Sequence, residues 1–333
     1  MTMKAAFFGS KKTIGQVYSQ RVVEQLKTLA EFVPHTINQD NLEEHAQTLR
    51  SVEVGFSTWG MPSLSEEEIR RYLPNLRVLF YGAGSVQRFA RPFLACGIDV
   101  VSAWAANAIP VAEFTVAQIV LANKGFHQAA MLCKRNRAEA MKYTDSFPGN
   151  WGAKVGIIGA GMIGKKVIEM LKPYNLDIYV YDPFLDDETA VRLNVKKGSL
   201  TDIFSQCQTI SNHVADLPAT VGMLNRAHFD IMLPNATFIN TGRGRQVVEE
   251  DLIAALKAVP TRTAILDVTY PEPVHPDSEF LKMDNVILTP HMAGSKSLEV
   301  ERMAEYMLEE YRRYLNGEPL LYKVSLKMLE TMA

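Results

Sequence analysis

Gly159-Ala160-Gly161-Met162-Ile163-Gly164 follows directly on the apolar run Val155–Ile158 and leads into Lys165–Leu171, which has helical spacing. Glycines at this spacing between a strand and a helix leave the chain few folds to choose from. The first allows a tight turn. The second lets a pyrophosphate approach the backbone, and the third lets helix and strand pack closely. Phosphates would rest on the helix N-terminus, where Met162 and Ile163 present free N–H groups and the dipole favours an anion. Asp182 closes the next apolar run, near the distance expected of a carboxylate that binds a ribose hydroxyl. It would repel a 2′-phosphate. Tyr181-Asp182-Pro183-Phe184 has no Arg or Lys to welcome one, so the sequence favours NAD over NADP.

The loop sits at mid-chain, so a domain of ~100 residues is expected before the cofactor unit. Short apolar runs alternate with helix-length segments, the pattern of parallel α/β sheets. Lys4–Phe8, Val52–Ser57, Arg77–Tyr81 and Ile98–Ser102 read as strands of a first series. Lys154–Ile158, Asp177–Tyr181, Thr209–His213, Ala236–Asn240, Ala264–Val268 and Val286–Thr289 form a second. A long, mainly apolar helix is expected from Ile109 to about Cys133, with Pro110 in its first turn. Lys134–Asn150 reads as an exposed connection. Val300, Met303, Ala304, Met307, Leu308, Tyr311 and Leu315 follow helical spacing opposite a charged face, an amphipathic helix packed on a core. The expectation is an α/β chain of two doubly wound parallel-sheet domains, a Rossmann cofactor domain and a flavodoxin-like domain. The cofactor domain would span 104–296. The other, a substrate domain, would span 1–103 and be completed by 297–333.

Composition excludes several other classes. The 333 residues are 47% hydrophobic and 22% charged with a net charge of −2, which argues against disorder, nucleic-acid binding and a membrane surface. No uninterrupted apolar run reaches the ~18 residues of a membrane span. The N-terminal apolar stretch is too short for a signal peptide. Cys96, Cys133 and Cys207 are far apart and have no metal-ligand spacing, which fits a reducing cytoplasm and three small core side chains. No His, Cys and carboxylate cluster has metal spacing, and His127, His213, His228 and His275 read as structural or exposed.

Three later segments each set polar residues just past an expected strand: Phe238–Gly244, Leu266–Pro273 and Asn285–Gly294. In open α/β sheets that carboxyl edge is where ligands bind. With the glycine loop, these segments resemble the D-isomer-specific 2-hydroxyacid dehydrogenases over about residues 50–296. The resemblance implies that Arg243 binds the substrate carboxylate and C2 oxygen, through a planar fork that lysine lacks. It implies that His291 is the acid/base at that oxygen and that Glu272 holds and polarises it. Thr241 falls in the cofactor-binding Asn-Thr-Gly-Arg segment, and Asp267 matches the aspartate near the nicotinamide carboxamide. In the first domain, Ala83 and Gly84 match the turn whose backbone N–H groups hold the substrate carboxylate. Val111-Ala112-Glu113-Phe114 matches the start of the interdomain helix.

The chain departs from the pattern at Val86, where Asp is frequent, and at Ser102 and Trp104, where Asn and Pro are frequent. Arg is common near the end of the first half of the interdomain helix, and here Lys124 stands nearby. Trp59 and Trp104 are expected to narrow the substrate pocket or to pack in the core. The resemblance implies reversible hydride transfer between NAD and a 2-hydroxy or 2-keto acid, in a homodimer. It leaves open the side-chain size and any phosphate or second carboxylate on the substrate. A formate-type dehydrogenase would carry Gln at 272. A non-enzymatic NAD-sensing protein of the same superfamily would retain every motif, although low basic charge and the lack of a tail weigh against it. A phosphoglycerate dehydrogenase with a regulatory extension is not expected, because 333 residues leave none for it.

Overall fold

A computed structural model describes residues 2–332. The chain divides into two compact units, residues 1–108 with 295–333, and residues 109–294. The sequence had placed the junctions at 103/104 and 296/297.

The first unit carries strands β1 (Met3–Phe8), β2 (Ala30–Ile37), β3 (Val54–Ser57), β4 (Val78–Tyr81) and β5 (Asp99–Ser102). The second carries β6 (Trp151–Ile158), β7 (Asn175–Tyr181), β8 (Lys196–Lys197), β9 (Thr209–Asn212), β10 (Thr237–Asn240), β11 (Thr263–Leu266) and β12 (Val286–Leu288). The chain then returns to the first unit with β13 (Lys323–Val324). The first sheet runs β13-β5-β4-β3-β1-β2 and the second β12-β11-β10-β9-β6-β7-β8. Every pairing is parallel except β13 on β5. These are the flavodoxin-like and Rossmann orders expected for two doubly wound sheets.

Period-2 alternation puts apolar residues on both faces, as a doubly covered parallel sheet requires. In β4, Leu79 and Tyr81 enter one core and Val78 and Phe80 the other. In β10, Phe238 and Ile239 divide in the same way. The helix Glu299–Leu315 buries Met303, Ala304, Met307, Leu308 and Tyr311 in the first unit, as its spacing foretold, while Val300 is half-buried and Leu315 at its last turn is exposed.

Three strands went unread, each for a physical reason. β2 contains Pro34 and lies at a sheet edge with a register shift against β1. Proline is tolerated there and weakens the alternation. β8 and β13 are two residues long, too short for any periodicity to register.

The long helix also differs from expectation. It begins at Trp104, runs to Ala122 with Pro110 inside it, and breaks before a second helix, Phe126–Cys133. Gly125 adopts φ +64° at the break. Buried Asn123 accepts from Thr209 Oγ1 at 2.7 Å and donates to Asn150 Oδ1 at 3.0 Å, which ends the first helix on tertiary contacts. Trp104–Ala122 is long and apolar enough to cross a membrane, but half of its most apolar window is buried in the fold. Lys134–Asn150 is not all connection. It holds the helix Arg137–Thr144, capped by Asn136, whose side chain accepts from Ala138 and Glu139 N–H. That cap was the legible signal in a stretch otherwise weak in apolar spacing.

Candidate active site

In the second unit the strand order reverses between β6 and β9, and the loops after these strands meet there. The glycine loop follows β6. Gly159 has φ +93°, and a Cβ there would lie 2.9 Å from the backbone of His213 and Val214. At Gly164 a Cβ would lie 2.0 Å from Gly159 O, whereas at Gly161 it would meet nothing within 4 Å. Two glycines are therefore demanded by packing. The middle one faces open space, as the approach of a pyrophosphate requires. The helix Met162–Leu171 has no side-chain cap, and its first backbone hydrogen bond runs from Lys165 N to Gly161 O. The N–H groups of Met162, Ile163 and Gly164 have no acceptor among the described residues, and so offer a site for an anion.

Asp182 directly follows β7, beside this loop. Its carboxylate accepts from Ala160 N at 2.6 Å and from Phe184 N at 2.7 Å, so it is oriented with acceptor capacity to spare. The residues fit a dinucleotide: an open cradle for its pyrophosphate and a fixed carboxylate for its ribose.

Beyond β9 and β10 the site is set by buried carboxamides that the sequence reading did not single out. Asn212 Nδ2 donates to Asn240 Oδ1 at 3.0 Å and to Gln246 Oε1 at 2.6 Å. Asn240 Oδ1 accepts from Gly242 N at 3.0 Å, and Gln246 Oε1 from Arg243 N at 3.1 Å. Gln246 Nε2 donates to Val214 O and Ala215 O. The turn bearing Arg243 thus hangs from two amides at the ends of the adjacent strands β9 and β10 and from Gln246 in the turn itself. An Asn closing each of two successive strands was the signal available. Arg243 is half-buried, and its Nη1 donates to Gly242 O at 2.7 Å, leaving further guanidinium N–H groups for a ligand. At Gly244 a Cβ would fall 2.1 Å from the backbone of Thr269, so this turn presses against the segment that carries Glu272.

His213, read as structural or exposed, is buried in this polar layer. Its Nε2 lies 3.0 Å from Ser211 Oγ and its Nδ1 3.4 Å from Thr241 Oγ1, which in turn lies 3.4 Å from Thr115 Oγ1. Burial pushes His213 down to about 3, so the ring is neutral at ordinary pH. Thr241 is itself only 7% exposed and faces these partners.

His291 and Glu272 come together across the loops after β12 and β11. The His291 Nδ1 pairs with Glu272 Oε1, and both side chains remain exposed enough to reach a ligand. This pairing occupies Nδ1, and Nε2 has no hydrogen-bond partner among the described residues. His291 has φ +51°, an uncommon left-handed backbone for a non-glycine residue. Asp267 holds it there. His291 N donates to Asp267 O at 3.1 Å. The Asp267 carboxylate, 2% exposed, accepts from Thr289 Oγ1 at 2.6 Å, Met292 N at 2.7 Å and Ala293 N at 2.9 Å. Three in-chain partners make Asp267 a clamp on the His291 loop. Among the described residues no group of three or more His, Cys, Asp or Glu could hold a metal ion.

In the first unit, the turn after β4 is held by its carbonyls. Ser102 Oγ lies 2.9 Å from Ala83 O and 2.6 Å from Gly84 O, and Thr58 Oγ1 donates to Gly82 O. The Ala83 and Gly84 N–H groups have no acceptor among the described residues. Ser102, noted as a departure, therefore shapes the turn it follows. Trp59 is 41% exposed, while Trp104 packs edge-on to Tyr322 with ring centroids 5.7 Å apart.

The sequence profile of the D-isomer specific 2-hydroxyacid dehydrogenase NAD binding domain matches residues 116–293. The chain is 31% identical over 234 residues to D-3-phosphoglycerate dehydrogenase of Archaeoglobus fulgidus, covering 70% of this chain and 44% of that protein. It is 31% identical over 223 residues to D-3-phosphoglycerate dehydrogenase of Methanocaldococcus jannaschii, covering 67% and 42%. It spans about half the length of the curated relatives it matches. The apo D-mandelate dehydrogenase of Rhodotorula graminis has the same fold, with a TM-score of 0.83 at 18% identity over 98% of each chain. With glycine loop, carboxyl-edge residues and profile in agreement, the chain belongs to the D-isomer-specific 2-hydroxyacid dehydrogenase family of oxidoreductases, and its second unit is that family's NAD-binding domain.

Proposed function

We propose that this chain catalyses reversible hydride transfer between NAD and C2 of a D-2-hydroxy acid or 2-keto acid. The observation that carries the reading is the His291–Glu272 pair beside the Arg243 turn, all in the unit that binds the nucleotide. Bound NAD supplies or accepts the hydride. The protein does the rest. Met162, Ile163 and Gly164 N–H groups receive the pyrophosphate, and Asp182 receives the ribose. Arg243 binds the substrate carboxylate and C2 oxygen through its free N–H groups. His291 Nε2 gives a proton to the C2 oxygen in reduction and takes it back in oxidation, while Glu272 holds the opposite nitrogen.

Two further readings belong to the proposal. The helix Phe126–Cys133 is apolar yet has no buried residue, and Phe126, Met131, Met141 and Trp151 are all exposed large side chains. That surface supports a homodimer, which sedimentation equilibrium would test. Three free cysteines support a reducing, cytoplasmic setting.

The test is NADH consumption by purified protein against a panel of 2-keto acids, repeated with His291→Ala. We expect turnover with at least one acid and its near-complete loss in the variant. NADH binding without turnover on any acid would make the chain an NAD-sensing protein instead.

A further inference from the structure

Gln246 is fully buried, yet both ends of its amide are engaged. Oε1 accepts from Arg243 N at 3.1 Å and from Asn212 Nδ2 at 2.6 Å. Nε2 donates to Val214 O at 2.8 Å and to Ala215 O at 3.0 Å. A side-chain amide has two donor hydrogens and two acceptor lone pairs, so this one is satisfied in full, and in one orientation alone. A buried polar group with all its partners rigidifies what it joins.

It joins two loops of the second unit. On one side is Arg243, whose N–H is held by Gln246 Oε1 and whose carbonyl accepts from Gln246 N at 3.4 Å and Asn240 Nδ2 at 3.2 Å. The backbone of Arg243 is thus pinned at both ends, while its guanidinium keeps N–H groups for a ligand. On the other side is the segment after β9. There His213 and Val214 lie so close to Gly159 that a Cβ on this glycine would come within 2.9 Å of their backbone. Gly159 opens the loop that offers its N–H groups to a pyrophosphate. A second link runs beside the first: Arg245 Nη2 pairs with Asp216 Oδ1 at 3.3 Å, and Gly222 N donates to Arg245 O at 2.8 Å.

Buried as it is, Gln246 reaches neither ligand. We infer that it is a positioning residue for hydride transfer, which sets the Arg243 turn at a fixed distance from the nucleotide's loop and so places the substrate's C2 before the nicotinamide. This rests on the dehydrogenase reading and deepens it.

The experiment compares four full-length proteins: wild type, Gln246→Met, Arg243→Lys and the double variant. Methionine is close to glutamine in size and makes none of its hydrogen bonds. With NADH and the best 2-keto acid of the panel, Gln246→Met should lower kcat/KM about tenfold to a hundredfold, the order expected when reacting groups are misplaced by ~1 Å. The NADH Kd should stay within about threefold of wild type. On the Arg243→Lys background the same change should cost less than about threefold, because the fork that Gln246 positions has gone. Gln246→Glu, assayed at pH ~6 where burial keeps its carboxyl protonated, retains an acceptor for Arg243 N and one donor. It should lose only about threefold to tenfold, the worth of one neutral hydrogen bond, and it takes the place of Gln246→Met in the cycle should the latter fail to fold. A kcat/KM within about threefold of wild type, or a full loss repeated on the lysine background, overturns the inference. If wild type reduces no keto acid, the dehydrogenase reading has failed on its own, and amide hydrogen exchange then decides the positioning. Faster exchange in the variant confined to residues 241–247 and 213–216 supports it. Exchange equal to wild type, or faster throughout the chain, refutes it.

Discussion

Asp267→Asn tests the clamp on His291. The aspartate is buried and gives three acceptor contacts, two on Oδ1 and one on Oδ2. An asparagine keeps one acceptor oxygen. In its better orientation it retains Thr289 Oγ1 and Met292 N, and sets its amide against Ala293 N–H, itself 3% exposed. A buried donor left without an acceptor costs ~1–3 kcal/mol, and charge-assisted bonds are roughly twice as strong as neutral ones. Relief of the buried charge offsets part of this. We expect a net loss of about 2 kcal/mol, which for a unit of this size lowers Tm by roughly 4–8 °C. The larger effect should be catalytic. His291 holds φ +51° against a cost of order 1 kcal/mol or more. With the clamp weakened the loop relaxes, and kcat should fall about tenfold to a hundredfold. Initial rates of keto-acid reduction and equilibrium NADH binding separate the two roles of Asp267. A lower kcat with the NADH Kd within about threefold of wild type is expected. A raised Kd with kcat intact would show that Asp267 is a cofactor contact, and an unchanged kcat and Tm would remove the clamp altogether.

Other expectations are independent of that loop. Asp182→Ala should narrow the preference for NADH over NADPH about tenfold to a hundredfold, since a repelling charge and an acceptor for the ribose both go; equal use of the two cofactors by wild type would sink the assignment. His213 is held down to about 3 by burial, whereas a free histidine titrates near 6.5. Between those values the unfolded chain binds the extra proton, so stability falls as pH falls through that window. The loss at pH ~5 is about 2 kcal/mol. Denaturant titrations at pH ~7.5 and ~5 should show it, and His213→Asn should flatten the difference. Burial also raises the Cys207 thiol to about 12. A thiol reagent should label exposed Cys133 in the native protein and spare Cys207 until unfolding, so early modification of Cys207 would contradict the packing of its core.

Much of this was readable in the sequence because the physics is local. Gly164 is held to glycine by Gly159, five residues before it, and the spacing of the loop marks the open position at Gly161. His291 and Glu272 follow short strands that are easily recognised. What was missed is set by tertiary contacts. Asn212, Asn240 and Gln246 matter only because the ends of β9 and β10 are neighbours and the turn after β10 folds back on them. Asp267 becomes a clamp only when the loop at 289–293 folds over it. The break at Asn123 depends on Thr209 and Asn150, and β2 is a strand because it adds to an edge, despite Pro34. No periodicity in the sequence encodes such pairings.

The central claim is hydride transfer to C2 with His291 as the acid. NADH deuterated at C4 supplies the most direct test, in a reaction with the best 2-keto acid of the panel and mass analysis of the product. The account predicts one deuterium on C2 of a D-2-hydroxy acid for the wild type and almost none for His291→Ala. Bound NADH that delivers no deuterium to any keto acid, or a His291→Ala variant that delivers it as fast as wild type, would contradict it.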